Sequence, residues 1–333
     1  MTPISLVLQQ FRFTLRAIDP LALDQHPGSA LRGAIFRALL KRFCAMPQQP
    51  FCAMCPLLRQ CPVASLVAPL RDEHPRGRDV PRPFVMEPPL FAAMQEEGVT
   101  FQRNQQFSFG ITLIGSATKL FPYLALSTQF MEQDGLGRPL KENFGRRGRF
   151  IVEQISSCNP FTQKETVLFR SGNTAVTPPS EDITEKTIQQ YIAILSSEKL
   201  ALQFLTPMRL IQAGKLVHIP DPAILLQRLA ERLDALEQTY SIDEPQDEIN
   251  HTGRWRDIAA TANLVLDMSK ITWVDSQSYS NRQQRSLPTG GFVGRAIYAG
   301  DFSPELHALL AWGELVHVGK DVVKGNGWYQ IIH

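Results

Sequence analysis

The amino-acid sequence predicts an α+β protein of two consecutive domains, with a cysteine-rich segment inserted into the first. Three observations support this fold class. At 333 residues the chain exceeds the usual size of one compact domain. Its composition, 44% hydrophobic and 20% charged, is that of a chain that buries cores. Strand-like alternation and helix-like spacing of apolar residues also follow one another in both halves of the chain.

The first half opens with a strand and then a helix. Alternating apolar residues predict the strand at 11–15, and apolar residues at helical spacing predict the helix over 31–43. Residues 44–83 are rich in Cys, Pro and Arg without a steady period, which indicates a loop-rich knuckle. A strand is predicted at 107–114 and a helix at 121–133, followed by irregular segments.

The second half follows a linker near residues 177–198, so the predicted domains are residues 1–180 and 198–333. Its helix starts are clear, because a capping Asp or Ser stands directly before a proline. The predicted elements are strands at 202–217, 271–278 and 291–298, helices opening at Asp221 and Ser303, and a final strand pair or bent strand over 315–318 and 328–332. This β-α-β-β-α-β order is that of the ferredoxin-like fold, and the first half follows it less completely.

The charge of the chain is unevenly distributed. The net charge of +2 does not by itself indicate a nucleic-acid partner. Residues 138–149, however, carry five Lys or Arg side chains against one Glu, and such a strip attracts phosphates. We recognise no signal peptide and no membrane-spanning stretch, which predicts a cytoplasmic protein.

Four of the five cysteines lie close together, at Cys44, Cys52, Cys55 and Cys61, whereas Cys158 stands apart as a free thiol. In a reducing compartment this spacing favours a metal site over disulfides. Four thiolates suit a tetrahedral structural zinc, and an iron–sulfur cluster is the alternative. A metal would stabilise this apolar-poor knuckle, and four thiolate ligands would leave it no open position for catalysis.

A glycine-rich segment at residues 319–327 precedes the last predicted strand. Its glycines permit positive φ, and successive amides there can hold phosphate oxygens beside two lysines. The alternative is an ordinary Gly-Asn-Gly turn, and the order of a nucleotide-binding P-loop is absent. The candidate ligand-binding residues are Gly319, Lys320, Lys324, Gly325 and Gly327.

The glycine-rich segment is the last of a series of motifs. Residues 278–285 read Ser-Tyr-Ser-Asn-Arg-Gln-Gln-Arg, and residues 290–294 read Gly-Gly-Phe-Val-Gly. With residues 315–327, these motifs resemble the C-terminal signature of the CRISPR repeat-processing endoribonucleases of the RAMP superfamily. The resemblance covers roughly the last 60 to 70 residues. In the first half it rests on residues 28–34, Gly-Ser-Ala-Leu-Arg-Gly-Ala, followed by the cysteine cluster.

This resemblance implies two tandem ferredoxin-like (RRM-like) domains and cleavage of CRISPR repeat RNA without a catalytic metal. The ribose 2′-hydroxyl attacks the adjacent phosphate and leaves a 2′,3′-cyclic phosphate and a 5′-hydroxyl. Such a reaction needs a base, an acid and cations near the phosphoryl group. The implied partners are the repeat RNA and, as an open question, other CRISPR effector subunits, with the chain acting as a monomer or homodimer.

His26 and Arg32 are the catalytic candidates. His26 titrates near neutrality and precedes the first helix, a region where several members of the family place catalytic groups; the alternative is a loop histidine without function. Arg32 falls within the apolar arc of the helix and either leans toward bound phosphate or forms a buried ion pair. Tyr279, Arg282 and Arg285 lie in a predicted hairpin that either enters an RNA groove or is simply polar and mobile.

Three functions remain open from the sequence. The first is an RNA-cutting enzyme, and the second is a non-catalytic RNA-binding subunit that holds guide RNA in an effector complex. The third is a zinc-stapled interaction protein without an RNA role. His307 and His317 lie beside apolar residues in predicted regular elements, so we expect structural roles for both.

Overall fold

The computed structural model describes residues 6–49, 51–70, 80–90, 98–173, 175–241, 253–280 and 285–332. These residues divide into two compact units, one of residues 7–182 and one of residues 183–332 with Leu6. Each unit has its own antiparallel main sheet. No helix in the described ranges is both long enough and apolar enough to cross a membrane.

The first unit combines a main sheet, a small second sheet and three helices. Its strands are β1 (Leu8–Ala17), β2 (Leu21–Leu23), β3 (Phe84–Glu87), β4 (Val99–Phe101), β5 (Gln106–Ile114), β6 (Leu136–Leu140), β7 (Arg146–Gly148), β8 (Phe150–Asn159) and β9 (Lys164–Arg170). Its helices are α1 (Gly28–Phe43), α2 (Pro62–Val67) and α3 (Phe121–Asp134), with 3-10 turns at Cys52–Met54, Gly115–Leu120 and Lys141–Asn143.

The main sheet of the first unit has the strand order β3-β5-β1-β8-β9, and the second sheet has the order β4-β2-β6-β7. The path β1, α1, β3, β5, α3, β8 is the β-α-β-β-α-β order of the ferredoxin-like fold, with β9 added at one edge. The strand that the sequence left unidentified in this half is therefore β3, a four-residue strand beyond the cysteine-rich segment.

Alternation along β1 positions the core of the first unit. Phe11, Phe13 and Leu15 are all buried on one face of the strand. Phe11 stacks on Phe121 of α3 at 4.3 Å between ring centroids, and Phe13 stacks on Phe109 of β5 at 4.9 Å. The first contact joins the sheet to α3, and the second joins two neighbouring strands of the sheet.

The second unit has a four-stranded main sheet and two separate hairpins. Its strands are β10 (Lys199–Met208), β11 (Leu210–Gln212), β12 (Lys215–Val217), β13 (Leu264–Val274), β14 (Gln277–Ser280), β15 (Arg285–Pro288), β16 (Gly291–Gly300) and β17 (Tyr329–Ile332). Its helices are α4 (Glu185–Ile192), α5 (Pro222–Tyr240), α6 (Arg254–Thr261) and α7 (Pro304–Val316), with a 3-10 turn at Val322–Lys324.

The second main sheet has the order β13-β16-β10-β17, and its path β10, α5, β13, β16, α7, β17 again gives β-α-β-β-α-β. The predicted helix starts are confirmed: Asp221 accepts from the amide of Ile224 at 2.9 Å, and Ser303 accepts from that of Leu306 at 3.2 Å. The predicted α+β architecture of two ferredoxin-like repeats with a cysteine-rich insertion is therefore confirmed.

Two predictions about local structure were wrong. Residues 136–170 are not irregular but form β6 to β9, which the sequence conceals because buried positions of β8 are polar, such as Ser156 and Ser157. Leu315 and Val316 do not form a strand but end α7. This helix is apolar on nearly all sides, so it lacks the one-sided periodicity that identifies a surface helix.

Candidate functional site

His26 lies in the turn between β2 and α1, directly before Pro27, the N-cap residue of α1. The imidazole is half-buried, and its Nε2 atom is enclosed without a hydrogen-bond partner among the described residues. Burial lowers the pKa of His26 below its ordinary value of 6.5. The ring is therefore neutral at pH 7, which is the form in which a histidine accepts a proton.

The segment that leads into His26 is joined to the basic strip of residues 138–149. Ala22 of β2 pairs with Arg138 of β6 in the second sheet. Asp24, two residues before the histidine, forms an ion pair of 3.1 Å with the same Arg138. The fold thus brings the segment before His26 next to the basic strip, although the two are more than a hundred residues apart in the sequence.

Arg32 lies on α1, six residues after His26. It is half-buried and lines a small cavity together with apolar residues of α2 and β3, among them Leu66, Phe84 and Met86. The structure places Arg32 on the apolar side of α1, as the helical wheel predicts. Its role in catalysis stays a prediction.

The glycine-rich segment makes very close backbone contacts. Gly327 has a φ of 71°, and a Cβ atom there would lie 1.8 Å from the carbonyl oxygen of Val318. Gly319 has a φ of 92°, and a Cβ there would lie 2.5 Å from the carbonyl oxygen of Arg209. Both positions therefore require glycine for close approach as well as for conformation.

The amides of this segment are used within the unit. The amide of Gly325 donates to Val322 at 3.0 Å and that of Gly327 donates to the carbonyl of Pro207 at 3.1 Å. The Asn326 side chain donates to the carbonyl of Thr289 at 2.7 Å. The expectation that successive amides here face a phosphate is therefore wrong for Gly325 and Gly327, because these amides tie the loop to the end of β10 and to its own turn. Any contribution of the two glycines to RNA binding acts through the shape of the loop and stays a prediction.

The two lysines of the segment differ in their surroundings. Lys320 is exposed, and its amide donates to the carbonyl of Arg209 at 3.0 Å. Lys324 forms an ion pair of 2.9 Å with Asp321, and only 19% of its side chain is exposed. Lys320 is therefore the better placed of the two to bind a phosphate.

The predicted hairpin is present in the second unit as β14 and β15. Its backbone ladder pairs Tyr279 with Ser286 and Ser280 with Arg285. Arg282 lies outside the described residues, which omit 281–284. The hairpin is confirmed at the level of the backbone, and RNA contacts by Tyr279, Arg282 and Arg285 stay predictions.

The two histidines expected to be structural have buried environments. His317 is fully buried and stacks on Trp328 with ring centroids 5.9 Å apart. Burial, reinforced by the positive charge of Arg232, lowers the pKa of His317 to about 3. His307 forms a hydrogen bond of 3.0 Å with the carbonyl of Ser196. Neither ring is exposed to a substrate.

The four clustered cysteines are half-buried and are not joined to one another by disulfide bonds. Cys44 is the C-cap residue of α1, Cys52 and Cys55 bracket a 3-10 turn, and Cys61 is the N-cap residue of α2. Burial raises the pKa of the Cys52 thiol, and the other three cysteines raise it further, so all three lie within electrostatic range of Cys52. The isolated Cys158 is buried, and burial raises its pKa to about 11, which makes it an inert thiol.

The cysteines share a neighbourhood, but their side chains do not form a finished metal site. Within the described ranges, no three or more His, Cys, Asp or Glu side chains are arranged so that they could hold a metal ion. Cys52 and Cys55 are nevertheless half-buried, whereas their immediate neighbours are exposed. A zinc bound by Cys44, Cys52, Cys55 and Cys61 stays a prediction.

Phe144 was missed by the sequence reasoning. It stands in the basic strip, and 94% of it is exposed. Its backbone is left-handed, with φ 55° and ψ 40°. The available signal was a large aromatic residue between Asn143 and Gly145, where a turn prefers small or polar residues.

Comparisons with known proteins agree with this architecture. The AF_1859_N family model, an N-terminal domain, matches residues 6–181, more than half of the chain, and the model for the CRISPR-associated endoribonuclease Cas6 matches residues 202–329. Together the fold and these models define a CRISPR-associated RAMP protein. Within that class, residues 202–329 belong to the Cas6 family of CRISPR-associated endoribonucleases, and residues 6–181 belong to the AF_1859_N family. No curated protein sequence matches the chain significantly.

Solved structures share the fold at low sequence identity. A Cas6 (TTHB231) product complex is 17% identical, with a TM-score of 0.53 over 98% of this chain and 99% of that chain. Thermus thermophilus Cas6 (TTHB231) is 14% identical, with a TM-score of 0.52 over the same shares. A chain of a partial Cas6-RT-Cas1–Cas2 complex is 11% identical, with a TM-score of 0.61 over 98% of this chain and 46% of that chain.

Proposed function

We propose that this chain is a metal-independent endoribonuclease that cuts CRISPR precursor RNA within its repeats. The ribose 2′-oxygen bonds to the adjacent phosphorus, the bond to the 5′-oxygen breaks, and the products carry a 2′,3′-cyclic phosphate and a 5′-hydroxyl. The observation that carries the proposal is the neutral imidazole of His26, whose enclosed Nε2 has no hydrogen-bond partner among the described residues. A substrate hydroxyl can serve as that partner.

His26 acts in this scheme as the general base. Its pKa lies below 6.5 because of burial, so most molecules hold the unprotonated ring at pH 7. Binding of RNA exposes the Nε2 atom, and this nitrogen takes the proton from the 2′-hydroxyl. The departing 5′-oxygen takes up a proton from solvent water as the bond to phosphorus breaks.

Arg32 supplies positive charge in the same scheme. A guanidinium remains protonated throughout, so it stabilises the extra charge on the phosphoryl oxygens and moves no proton. Its side chain now lies against apolar residues of α2 and β3. Its position in the first two turns of α1 lets it swing past the helix end toward a bound phosphate.

A second candidate function is a non-catalytic subunit that holds guide RNA in an effector complex. The half-buried positions of His26 and Arg32 favour it, because a catalytic side chain has to reach the substrate. The similarity to a chain of a partial Cas6-RT-Cas1–Cas2 complex adds support for association with other CRISPR proteins.

A cleavage assay in EDTA separates the two functions. Candidate repeat RNAs are incubated with the chain, and the products are identified by mass. The proposed enzyme gives cyclic-phosphate fragments, fails on RNA with a single 2′-deoxy nucleotide at the cut, and loses activity in His26→Ala. His218→Ala, which changes an exposed histidine of the second unit, serves as the matched control. Tight binding of repeat RNA without any cleavage would show the holding function instead.

A further inference from the structure

The turn between β6 and β7 presents an aromatic ring that the fold does not use. Phe144 at its tip is 94% exposed and has the left-handed backbone that non-glycine residues rarely adopt. Its amide donates to Lys141 at 2.9 Å, and the amide of Gly145 donates to Leu140 at 2.9 Å. Neither burial of the ring nor backbone preference explains a phenylalanine at this position.

The turn is firmly held despite its exposed tip. The Asn143 side chain donates to the carbonyl of Pro20 at 2.7 Å. At the other end of the strip, the Arg149 guanidinium binds Asp19 with a distance of 2.7 Å. Both anchors lie in the segment that continues through β2 to His26, so the position of the ring is fixed relative to the path of that segment.

Positive charge surrounds the ring. Lys141, Arg146 and Arg147 are all exposed, and no ion pair within the described part of the chain neutralises them. Arg37 of α1 extends this positive surface. Burial lowers the pKa of Arg37, and the charge of Arg147 lowers it further, which shows that the two guanidinium groups are close.

We propose that this turn binds one unpaired nucleotide of the RNA substrate, with its base stacked on Phe144 and the flanking phosphates held by Lys141, Arg146 and Arg147. Single-stranded nucleic acid is bound in this way, by aromatic faces interleaved with cations. The inference rests on the proposed function only in taking RNA as the substrate. Phe144 is then a positioning residue, because it fixes the RNA strand relative to the segment that carries His26.

The composition of the surface favours RNA over a protein partner. Among described residues 136–149, Phe144 is the only large exposed hydrophobic side chain. Protein interfaces need a larger apolar centre from which charged residues are depleted. A single aromatic ring beside three cationic side chains instead matches a single base flanked by phosphates.

The test compares RNA binding by Phe144→Ala, Phe144→Trp and Leu126→Ala. Leu126 is an exposed apolar residue of α3 in the same unit and serves as the matched control. With repeat RNA that has an unpaired flank, we expect Phe144→Ala to weaken binding roughly 5- to 100-fold. Phe144→Trp and Leu126→Ala should bind like the unchanged chain. A fluorescent 2-aminopurine in the flank should be quenched by the unchanged chain and by Phe144→Trp but not by Phe144→Ala.

Two outcomes would overturn the proposal. Equal RNA affinity and equal quenching in Phe144→Ala would exclude stacking. Loss of self-association or of binding to another CRISPR protein, at unchanged RNA affinity, would assign the turn to a protein interface. Failure of the proposed nuclease activity is distinguishable, because it leaves binding and quenching intact while the RNA stays whole.

Discussion

The Cα of Gly327 passes so close to Val318 that a single added methyl carbon would lie 1.8 Å from the Val318 carbonyl oxygen. The amide of Val318 also donates to the carbonyl of Gly327 at 3.1 Å. This contact joins the end of α7 to the start of β17. The glycine-rich segment is thus part of the framework of the second unit.

Gly327→Ala should therefore destabilise the fold. Gly172→Ala is the matched control, because Gly172 also has a positive φ, of 93°, but has open space around its Cα. The control should lose about 1–2 kcal/mol from backbone conformation alone, and Gly327→Ala clearly more. Denaturant unfolding measures both free energies. Equal losses would show that the loop relaxes around the methyl group.

His26→Ala should slow single-turnover cleavage about 100-fold or more if the imidazole is the general base. The base works unprotonated, and burial holds its pKa below 6.5. Cleavage by the unchanged chain should therefore stay constant from pH 8 to near 6.5 and decline only at lower pH. A rate that rises as the pH is lowered through this range would assign His26 the role of the acid.

Glu314→Gln should flatten the dependence of stability on pH. Burial raises the pKa of Glu314 to about 8, against an ordinary value of 4.5. Between these values the folded chain keeps a proton that the unfolded chain has lost, so the free energy of unfolding falls as pH rises. The slope from one such group is at most about 1.4 kcal/mol per pH unit.

Unfolding of the Glu314→Gln variant at several pH values checks this prediction. Glu87 and Glu237, each with a pKa raised to about 7 by burial, leave a residual slope in the variant. Glu142→Gln, at an exposed position, should leave the slope of the unchanged chain intact. An identical slope in Glu314→Gln would mean that this carboxyl group ionises normally.

The chain should contain one zinc ion, bound by the clustered cysteines. Elemental analysis of protein purified under reducing conditions should find zinc in the unchanged chain and in Cys158→Ala, and lose it in Cys52→Ser. Iron with acid-labile sulfide would identify the iron–sulfur alternative. Metal-free protein that folds normally and takes up neither would contradict the prediction.

Lys320→Gln and Lys324→Gln should differ in RNA binding. Lys320 is exposed, whereas Lys324 already pairs with Asp321 at 2.9 Å. Removing one phosphate contact lowers the dependence of log affinity on log salt concentration by about one unit. We expect that change for Lys320→Gln and a smaller one for Lys324→Gln. The same slope in all three proteins would place the RNA elsewhere.

The sequence predicted the second unit better than the first for physical reasons. Elements such as α5 combine a capping residue, a proline at the first helical position and a one-sided apolar stripe, all of which are local signals. The strands β6 and β7 carry three exposed arginines and exist because β6 pairs with both β7 and β2. Pairing between distant segments leaves little trace in the residues themselves.

The distinction between local signals and contacts of distant segments also applies to the candidate site. Residue type together with the family resemblance was enough to single out His26 and the glycine-rich segment. The sequence did not reveal that Nε2 of His26 has no hydrogen-bond partner in the described part of the chain, or that the Gly325 and Gly327 amides are engaged. It also did not reveal Phe144 as an exposed ring, because exposure depends on where the whole β6–β7 turn lies.

The last described strand has a consequence for biosynthesis. In β17, Tyr329 is fully buried and donates to the carbonyl of Leu310, and the amide of Ile331 donates to Glu314 of α7. A nascent or proteolysed chain that stops before this strand leaves both hydrogen-bond acceptors and the edge of β10 uncovered. The second unit can therefore mature only after this segment has left the ribosome, whereas the first unit is free to fold while synthesis continues.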